Sequence, residues 1–239
     1  RDGLLWFGTQ SGLSRFDRET ESFANLWHDA NDENSLTSND IYTVFEDRFG
    51  DIWIGTKHDG ATKYDKKTGT FTRFRHDAKN PNSIPDDEIQ AILEDLQGDL
   101  WFASRDNGLI RLDRETNTFE HFKHIPGDKS SLPLMSICDF YLSKAGKLIL
   151  IPSTTATGLI HFDPVAKTYF HQTSDPADPY SFSSNTIQGA FEDRNGILWV
   201  TDNTGKVDKA DPQAHRFNLY KHNPFDPNSL ASNAPLPIY

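Results

Sequence analysis

A short segment with glycine at its start, and in most copies tryptophan three residues later, recurs five times along the 239-residue chain. Repeats of roughly 20 to 50 residues are typical of chains in which each unit buries its apolar face against the next. This period constrains the fold more than any other feature of the sequence. The copies begin at Gly3, Gly50, Gly98, Gly146 and Gly196, with spacings of 47, 48, 48 and 50 residues.

Each repeat contains four short apolar or alternating runs separated by turn residues, which indicates strands rather than helices. In the second repeat the predicted strands start at Ile41, Asp51, Gly60 and Thr70. The intervening turns, DRFG, KHDG and KKTG, contain glycine that can adopt a positive φ angle. Four antiparallel strands in sequence order form one blade of a β-propeller. The chain is therefore predicted to be an all-β propeller of four-stranded antiparallel blades, with about 48 residues per blade.

The charge balance argues against one class of partner. The chain carries 24 Lys and Arg residues against 35 Asp and Glu residues, a formal net charge of −11, so a phosphate backbone would be repelled. We therefore expect no nucleic-acid partner. No apolar run approaches the roughly 18 residues that span a bilayer, so a membrane would be reached only through other parts of a longer protein. Cys138 is the only cysteine, which excludes an intrachain disulfide and a thiolate metal cluster, and we expect no cofactor.

Two sets of recurring residues have a structural interpretation. A tryptophan at one position of the second strand predicts a bulky anchor between blades, and we expect Trp53, Trp101 and Trp199 to be buried. Adjacent Glu and Asp residues suggest paired catalytic carboxylates, but a catalytic pair is needed once, whereas a capped turn occurs in every blade. The recurring residues are Trp6, Trp53, Trp101 and Trp199, and the pairs Glu46-Asp47, Glu94-Asp95 and Glu192-Asp193.

A histidine also recurs near the end of the fourth strand. Each copy would lie on the outermost strand of a different blade, so the four imidazoles would diverge rather than converge on one ion. We expect no metal site. The residues are His28, His76, His124 and His222.

The pattern SxxIxxxxEDxxGxxWxGTxxGxxxxD, followed by Phe, resembles the two-component regulator propeller repeat. Its clearest copy is SNDIYTVFEDRFGDIWIGTKHDGATKYDKKTGTFTRF, and the loop NPFDPNSLASN resembles the linker between blades in that family. The resemblance covers nearly the whole chain. It implies a seven-bladed propeller that forms the periplasmic sensor part of a membrane-anchored receptor, such as a hybrid histidine kinase. The fourth repeat departs from the pattern, with Leu142-Ser143 in place of the acidic pair and Ile149 in place of tryptophan.

The repeat predicts four complete blades and a split or partial fifth, in a single propeller domain or a fragment of one. A five-bladed ring could close if the C-terminal strand paired with the three N-terminal strands, although Pro235 and Pro237 would interrupt its hydrogen bonds. We favour a fragment of a seven-bladed ring, whose open blade edges would favour self-association. The predicted ranges are a partial blade at 1–34, blades at 35–82, 83–131, 132–181 and 182–228, and a partial strand at 229–239.

The repeated residues all have a structural role, and no unique nucleophile, base or metal set remains. We therefore expect a sensor or ligand-binding module, not an enzyme. An alternative is a propeller polysaccharide hydrolase or lyase, because EDRFGDIW also resembles the Asp-box turns of sialidase-like propellers. A protein–protein interaction scaffold is a further alternative.

The turns between the second and third strands vary from repeat to repeat, whereas the turns at the opposite ends of the strands recur. Variable loops on a fixed scaffold are where propellers place recognition, so we expect a small molecule or an oligosaccharide to bind here. The planar guanidinium of Arg105 makes it the strongest single candidate, for an anionic or hydroxyl-rich ligand. The candidate ligand-binding residues are Gln10, Lys57, His58, Asp59, Arg105, Asp106, Asn107 and Asn203.

Overall fold

The computed structural model describes residues 3–134, 136–153, 157–175, 177, 181–211, 216–220 and 224–230. Contacts divide the chain into two compact units, Arg1–Cys138 and Asp139–Tyr239. Of the predicted partial strand at 229–239, residues 231–239 lie outside the described residues. No helix able to cross a membrane is found in the described part of the chain.

The first compact unit is built on three antiparallel sheets whose strands are hydrogen-bonded in sequence order. The first sheet has three strands, and the second and third sheets have four each. These are the predicted partial blade and the first two complete blades. The strands are β1 (Leu4–Thr9), β2 (Gly12–Asp17) and β3 (Ser22–Leu26); β4 (Ile41–Glu46), β5 (Ile52–Thr56), β6 (Ala61–Asp65) and β7 (Thr70–Phe74); and β8 (Ile89–Glu94), β9 (Leu100–Ser104), β10 (Gly108–Asp113) and β11 (Thr118–Phe122).

The remaining two sheets have four strands each, again in sequence order. The fourth sheet begins at Ile137, just before the division between the compact units, and the fifth lies in the second unit. The prediction of four complete four-stranded blades and one partial blade is therefore confirmed. The strands are β12 (Ile137–Leu142), β13 (Leu148–Pro152), β14 (Leu159–Asp163) and β15 (Thr168–Gln172), then β16 (Ile187–Glu192), β17 (Leu198–Asp202), β18 (Val207–Asp211) and β19 (Arg216–Tyr220).

The first strand of a blade contains an irregularity that the repeat pattern did not reveal. The pairing register shifts between Ile41 and Thr43, and at the matching places of β8 and β16. Such a bulge leaves one residue unpaired and increases the local twist of the strand. The small residue that recurs two places after the first isoleucine therefore marks the point where pairing resumes.

The core of the first compact unit contains the interface between the second and third sheets. The indole of Trp53 stacks on Phe74 at 5.3 Å and meets the edge of Phe102, in the third sheet, at 5.8 Å between ring centroids. Trp53 and Trp101 are 3% and 0% exposed. Two of the three predicted blade anchors are therefore buried.

Trp199 differs from the other two anchors because it is only partly buried. Trp53 is covered by the sheet that follows its own, whereas the fifth sheet is the last that the structure describes. Lys209 lies over the Trp199 ring at 5.4 Å from the ring centroid. The prediction that all three rings are buried alike was wrong for Trp199.

The recurring aspartate joins the turn after the first strand to the tryptophan of the second strand. The Oδ1 atom of Asp47 accepts the backbone N–H groups of Phe49 and Asp51 at 2.9 and 3.0 Å, and its Oδ2 atom accepts the Trp53 indole N–H at 2.9 Å. The structural interpretation of the acidic pairs therefore accounts for these aspartates. The same indole bond links Asp95 with Trp101 at 2.7 Å and Asp193 with Trp199 at 3.2 Å.

The fourth repeat loses both ends of this hydrogen bond together. Ser143 replaces the aspartate and still accepts the backbone N–H of Lys147 at 3.0 Å, which keeps the turn. Ile149 replaces the tryptophan, so there is no indole donor that would need a carboxylate. In the first repeat, the buried Nε1 atom of Trp6 has no hydrogen-bond partner among the described residues.

Asp47 is also a buried charged residue. Its side chain is fully buried and lies 2.9 Å from the Nη2 atom of Arg114. Burial alone would raise the pKa of Asp47, but the Trp53 indole and the Arg114 guanidinium outweigh burial and lower this pKa below its ordinary value. The ionised Asp47 therefore stabilises the fold above the unfolded-state pKa, and this stabilisation is lost as the pH falls through the lower folded-state pKa.

We predict that Trp53→Ala lowers the free energy of unfolding by about 3–5 kcal/mol, because the cavity removes contacts from both sheets. Chemical denaturation followed by circular dichroism would measure the loss. Trp199→Ala is the matched control, and its loss should be smaller because the ring is only partly buried. Equal stability of Trp53→Ala and the parent protein would show that the ring does not hold the interface.

We predict that Asp47→Asn lowers the free energy of unfolding at pH 7 by about 2 kcal/mol, because Arg114 and the turn lose a charged acceptor. The difference from the parent protein should shrink below about pH 4, where the parent aspartate also becomes protonated. Urea titrations across this pH range test both statements. Asp106→Asn, at an exposed turn, should leave stability unchanged, and a pH-independent effect of Asp47→Asn would contradict the ionic role.

Candidate functional site

The turns between the second and third strands lie beside the linkers that join one blade to the next. The backbone N–H of Lys57 donates to the carbonyl of Asp40 at 3.1 Å, in the linker before its own sheet. The N–H of Gly60 donates to the carbonyl of Asp87 at 2.8 Å, in the linker after that sheet. Turn and linkers therefore lie on the same face of the first compact unit, as the sequence predicted.

Hydroxyl side chains hold these turns in a defined shape. Thr56 donates its hydroxyl to the carbonyl of Gly60 at 2.8 Å and accepts the N–H of Asp59 at 3.0 Å. Gly60 has a φ of 75°, and a Cβ atom there would lie 2.0 Å from the carbonyl oxygen of Phe74. In the third sheet Ser104 has a similar place and accepts the N–H of Asn107 at 3.0 Å. The turn frames are rigid, and the side chains between their ends are free to differ.

The turn side chains form ion pairs with one another and with the linkers. Arg105 lies 3.4 Å from Glu88, and its side chain remains 54% exposed. In the second sheet Asp59 lies 2.8 Å from Arg75. Exposed pairs of this kind contribute little to stability, so they can exchange partners readily. The face presents alternating charges, which suits a hydroxyl-rich ligand better than an anion that must compete with Glu88.

Seven of the eight predicted ligand-binding residues lie on turns of the first compact unit, and the eighth lies on a turn of the second unit. Lys57, His58 and Asp59 form the tip of one turn, and the tip of the next is formed by residues 105–107, both within the first compact unit. Gln10 is exposed on the corresponding turn of the first sheet. Asn203 is exposed on a turn of the second compact unit, where its N–H donates to Thr186 at 3.3 Å.

The three residues at the turn tip of the third sheet, 105–107, differ in their exposure and in their contacts. The Nε2 atom of His121 donates to the carbonyl of Asn107 at 2.6 Å, and Asn107 is half-buried. Arg105 and Asp106 are exposed. The side chains with most freedom to meet a ligand are therefore those of His58, Arg105 and Asp106.

Two buried carboxylates in the fifth sheet were missed by the sequence analysis. Asp202 and Asp208 are 3% and 2% exposed, and the Oδ1 atom of Asp208 has no hydrogen-bond partner among the described residues. Burial, and to a smaller degree the charge of Asp202, raises the pKa of Asp208. The other carboxylate oxygen accepts the N–H and hydroxyl of Ser183 at 2.9 and 2.8 Å.

A comparison between repeats would have revealed the unusual carboxylate of Asp208. Asp208 has the place of Thr62 in the second repeat, which makes the same two contacts with Thr37 at 3.0 and 2.9 Å. In the third repeat Pro85 replaces the linker residue Thr37, and the apolar Ile110 replaces its partner Thr62. The primary role of Asp208 is therefore to bind Ser183. Its carboxylate differs from the uncharged side chains at the same position of the second and third repeats.

The recurring histidines hold the linkers. Their Nδ1 atoms lie 2.6, 3.0 and 2.8 Å from a linker carbonyl oxygen, one within each blade connection. No three His, Cys, Asp or Glu side chains are grouped to hold a metal ion in the described ranges. His222 lies outside the described residues. The contacts are those of His28 with Leu36, His76 with Ile84 and His124 with Leu132.

A family model matches part of the second repeat. Residues 35–58 match the family described as two component regulator propeller. This stretch is one copy of the two-component regulator propeller repeat. The matched range includes the linker, the Asp47 turn, the Trp53 strand and the turn tip at Lys57 and His58. In the search of curated proteins, nothing matches this chain.

Solved structures show the same fold. The chain is similar to the extracellular domains of two hybrid two component systems from B. thetaiotaomicron, BT3049 and BT4673, each with 21% identity and with TM-scores of 0.66 and 0.71. The similarity covers 98% and 94% of this chain but 35% and 30% of those chains, so the chain spans about a third of their length. Virginiamycin B lyase from Staphylococcus aureus is similar at 13% identity with a TM-score of 0.63, over 95% of this chain and 68% of the lyase.

Proposed function

We propose that the chain is the extracytoplasmic ligand-binding part of a signal-transduction receptor and has no catalysis of its own. The observation that carries this proposal is the contrast between the two ends of each blade. At one end Asp47 and its counterparts repeat the same contacts with backbone and tryptophan. At the other end the Thr56 and Ser104 frames hold tips of different composition. Differences on a common frame are expected of recognition loops.

The chemistry of the tips favours a hydroxyl-rich ligand such as an oligosaccharide. Arg105 offers directed donors, while Asp106 and Glu88 offer acceptors close by. A sugar hydroxyl both donates and accepts, so it can bind between paired charges without leaving either side uncompensated. The net charge of −11 also disfavours a strongly anionic ligand.

The receptor role and the location draw support from the similar structures. Two of them are extracellular domains of hybrid two component systems. The output, the membrane anchor and a periplasmic location would belong to a protein longer than this chain. We propose them together, because a sensor of this kind needs a route from the ligand to an output.

A propeller hydrolase or lyase is the second candidate, favoured by the likeness to virginiamycin B lyase. Catalysis would need carboxylates or a base on residues outside the repeat, and Asp202 with Asp208 is a buried pair of that kind. Turnover of the glycans that bind would favour the enzyme. Binding without turnover would favour the sensor.

We also propose that the open edges of the blades mediate self-association. Phe7 and Phe23 are 45% and 62% exposed on the first sheet, with ring centroids 6.4 Å apart. Among the described residues β1 pairs only with β2, so an exposed aromatic pair beside this strand is a surface that a second copy could cover. Sedimentation of the parent protein and of Phe23→Ser would show whether an associated species depends on this pair.

We predict that Arg105→Ala combined with Asp106→Ala abolishes or strongly reduces the ligand response of the full-length protein, because it removes the donor and the acceptor at one tip. The response would be measured as output activity against ligand concentration. Arg18→Ala with Glu19→Ala is a charge-matched control on an exposed turn at the opposite ends of the strands. Impairment only in the control, with both proteins folded, would place the site on the opposite face.

A further inference from the structure

Two clefts lie on either side of β7, the outer strand of the second sheet. One cleft, of about 470 Å³, lies between the second and third sheets, and the other, of about 530 Å³, lies beside the linker that precedes the second sheet. Thr72, exposed on β7, lines both clefts. Each volume falls within the range of about 300–1,000 Å³ that small-molecule sites occupy.

The first cleft combines an apolar floor with a polar rim. Trp53, Phe74 and Leu112 form the floor, and all three belong to the packed interface between the two sheets. Thr72, Glu115 and Asn117 are exposed at the rim. Such a cleft presents a flat apolar surface together with hydrogen-bonding groups around it.

Phe49 provides an exposed aromatic ring at the wall of this cleft. It is 60% exposed, although it lies on the turn that Asp47 holds. The Arg114 guanidinium lies 5.1 Å from the Phe49 ring centroid and is itself fixed 2.9 Å from Asp47. The ring is therefore pre-positioned by a cation–π contact and a buried ion pair rather than by burial in a core.

The two cations that line the first cleft already have partners. Lys63 lies 3.1 Å from Asp51, and Arg114 lies near Asp47 and Glu94. An incoming anion would have to displace a carboxylate from one of these pairs. A neutral ligand rich in hydroxyl groups needs no such exchange, and its apolar ring face can stack on an aromatic side chain.

The second cleft has a similar character on the other side of β7. Asn34 accepts the backbone N–H of Phe71 at 2.7 Å, which fixes the linker against the strand. Arg73 donates to the carbonyls of Ser35 and Asp32 at 3.0 and 2.8 Å, so its guanidinium is also fixed. The partly exposed Phe71, the amide of Asn34 and the exposed Glu33 line the opening.

The aromatic wall is specific to this blade. The residue before the turn glycine is Phe49 here, whereas the third, fourth and fifth repeats have Gln97, Ala145 and Asn195. The fold does not need an aromatic residue at this position, because the other turns form without one. An exposed phenylalanine that packing does not require, and that lines a cleft, is a candidate for binding.

We propose that the two clefts form a binding site for an unbranched neutral oligosaccharide that crosses β7, with one sugar ring against Phe49 and a further ring in the cleft beside Phe71. The shared residue Thr72 makes a ligand longer than one ring the natural occupant. Phe49 lies on a turn at the opposite ends of the strands from the tips at Arg105 and His58, so this site is separate from the site of the proposed sensor function.

Saturation-transfer NMR with defined glycans tests the proposal. The probes are xylohexaose, mannohexaose and maltohexaose, their monosaccharides, and hexagalacturonate as the charged counterpart. We expect a neutral hexasaccharide to bind at least about tenfold more tightly than its monosaccharide, and Phe49→Ala to weaken it about tenfold. Phe49→Trp, which keeps an aromatic surface, should retain binding.

Two control variants distinguish binding in these clefts from binding at the turn tips or at any exposed aromatic ring. Phe170→Ala removes an aromatic side chain of similar exposure, 63%, from the second compact unit and should leave the dissociation constant unchanged. Phe49→Ala should weaken binding about tenfold also in a protein that already carries Arg105→Ala and Asp106→Ala, so failure of the turn-tip site does not affect this result. The proposal is overturned if no neutral hexasaccharide binds, if Phe49→Ala binds as the parent does, or if hexagalacturonate binds more tightly than every neutral probe.

Discussion

The hydrogen bond between the turn aspartate and the tryptophan indole is the interaction on which the rest of each blade depends. Through one carboxylate, Asp47 closes the turn after the first strand and orients the ring that packs against the next sheet. Turn geometry and blade packing are thus coupled in a single residue pair. A buried carboxylate would be costly without these donors and the nearby Arg114, which explains why the elements recur together.

The fourth repeat supports the same constraint, because it lacks both the aspartate and the tryptophan. Ser143 keeps the backbone part of the turn, and Ile149 fills the anchor position without a polar atom. A single exchange would leave either a buried carboxylate without its indole donor or a buried indole without an acceptor. Replacement of both ends in the fourth repeat avoids these penalties.

Much of the fold could be predicted from the sequence because the repeat displays its own internal alignment. The strand order, the blade size and the roles of Asp47 and Trp53 follow from positions that recur. The bulge after Ile41 could not be predicted, because it depends on how the first strand pairs. The partial exposure of Trp199 depends on which sheet follows it. Such neighbours are visible only in the assembled structure.

The candidate sites were less predictable for the same reason. Variation at the turn tips indicated Arg105 and Lys57, but their ion pairs with Glu88 and Asp40 follow from the packing of linkers beside turns. Phe49 and Asp208 were visible as departures from the repeat, yet they were not singled out. Departures of a single residue from an otherwise repeated position are thus as informative as variable loops.

The most direct test of this account is a double-mutant cycle between Asp47→Asn and Trp53→Phe, measured by chemical denaturation. The account predicts a coupling energy of about 1 kcal/mol or more, because Asp47→Asn removes the charge of the acceptor and Trp53→Phe removes the donor, so the second substitution has less of the bond left to weaken. The corresponding cycle between Asp47→Asn and Trp101→Phe, in which the two residues are not bonded to each other, should be additive within about 0.5 kcal/mol. Additivity in both cycles would contradict the claim that this bond joins the turn to the blade interface.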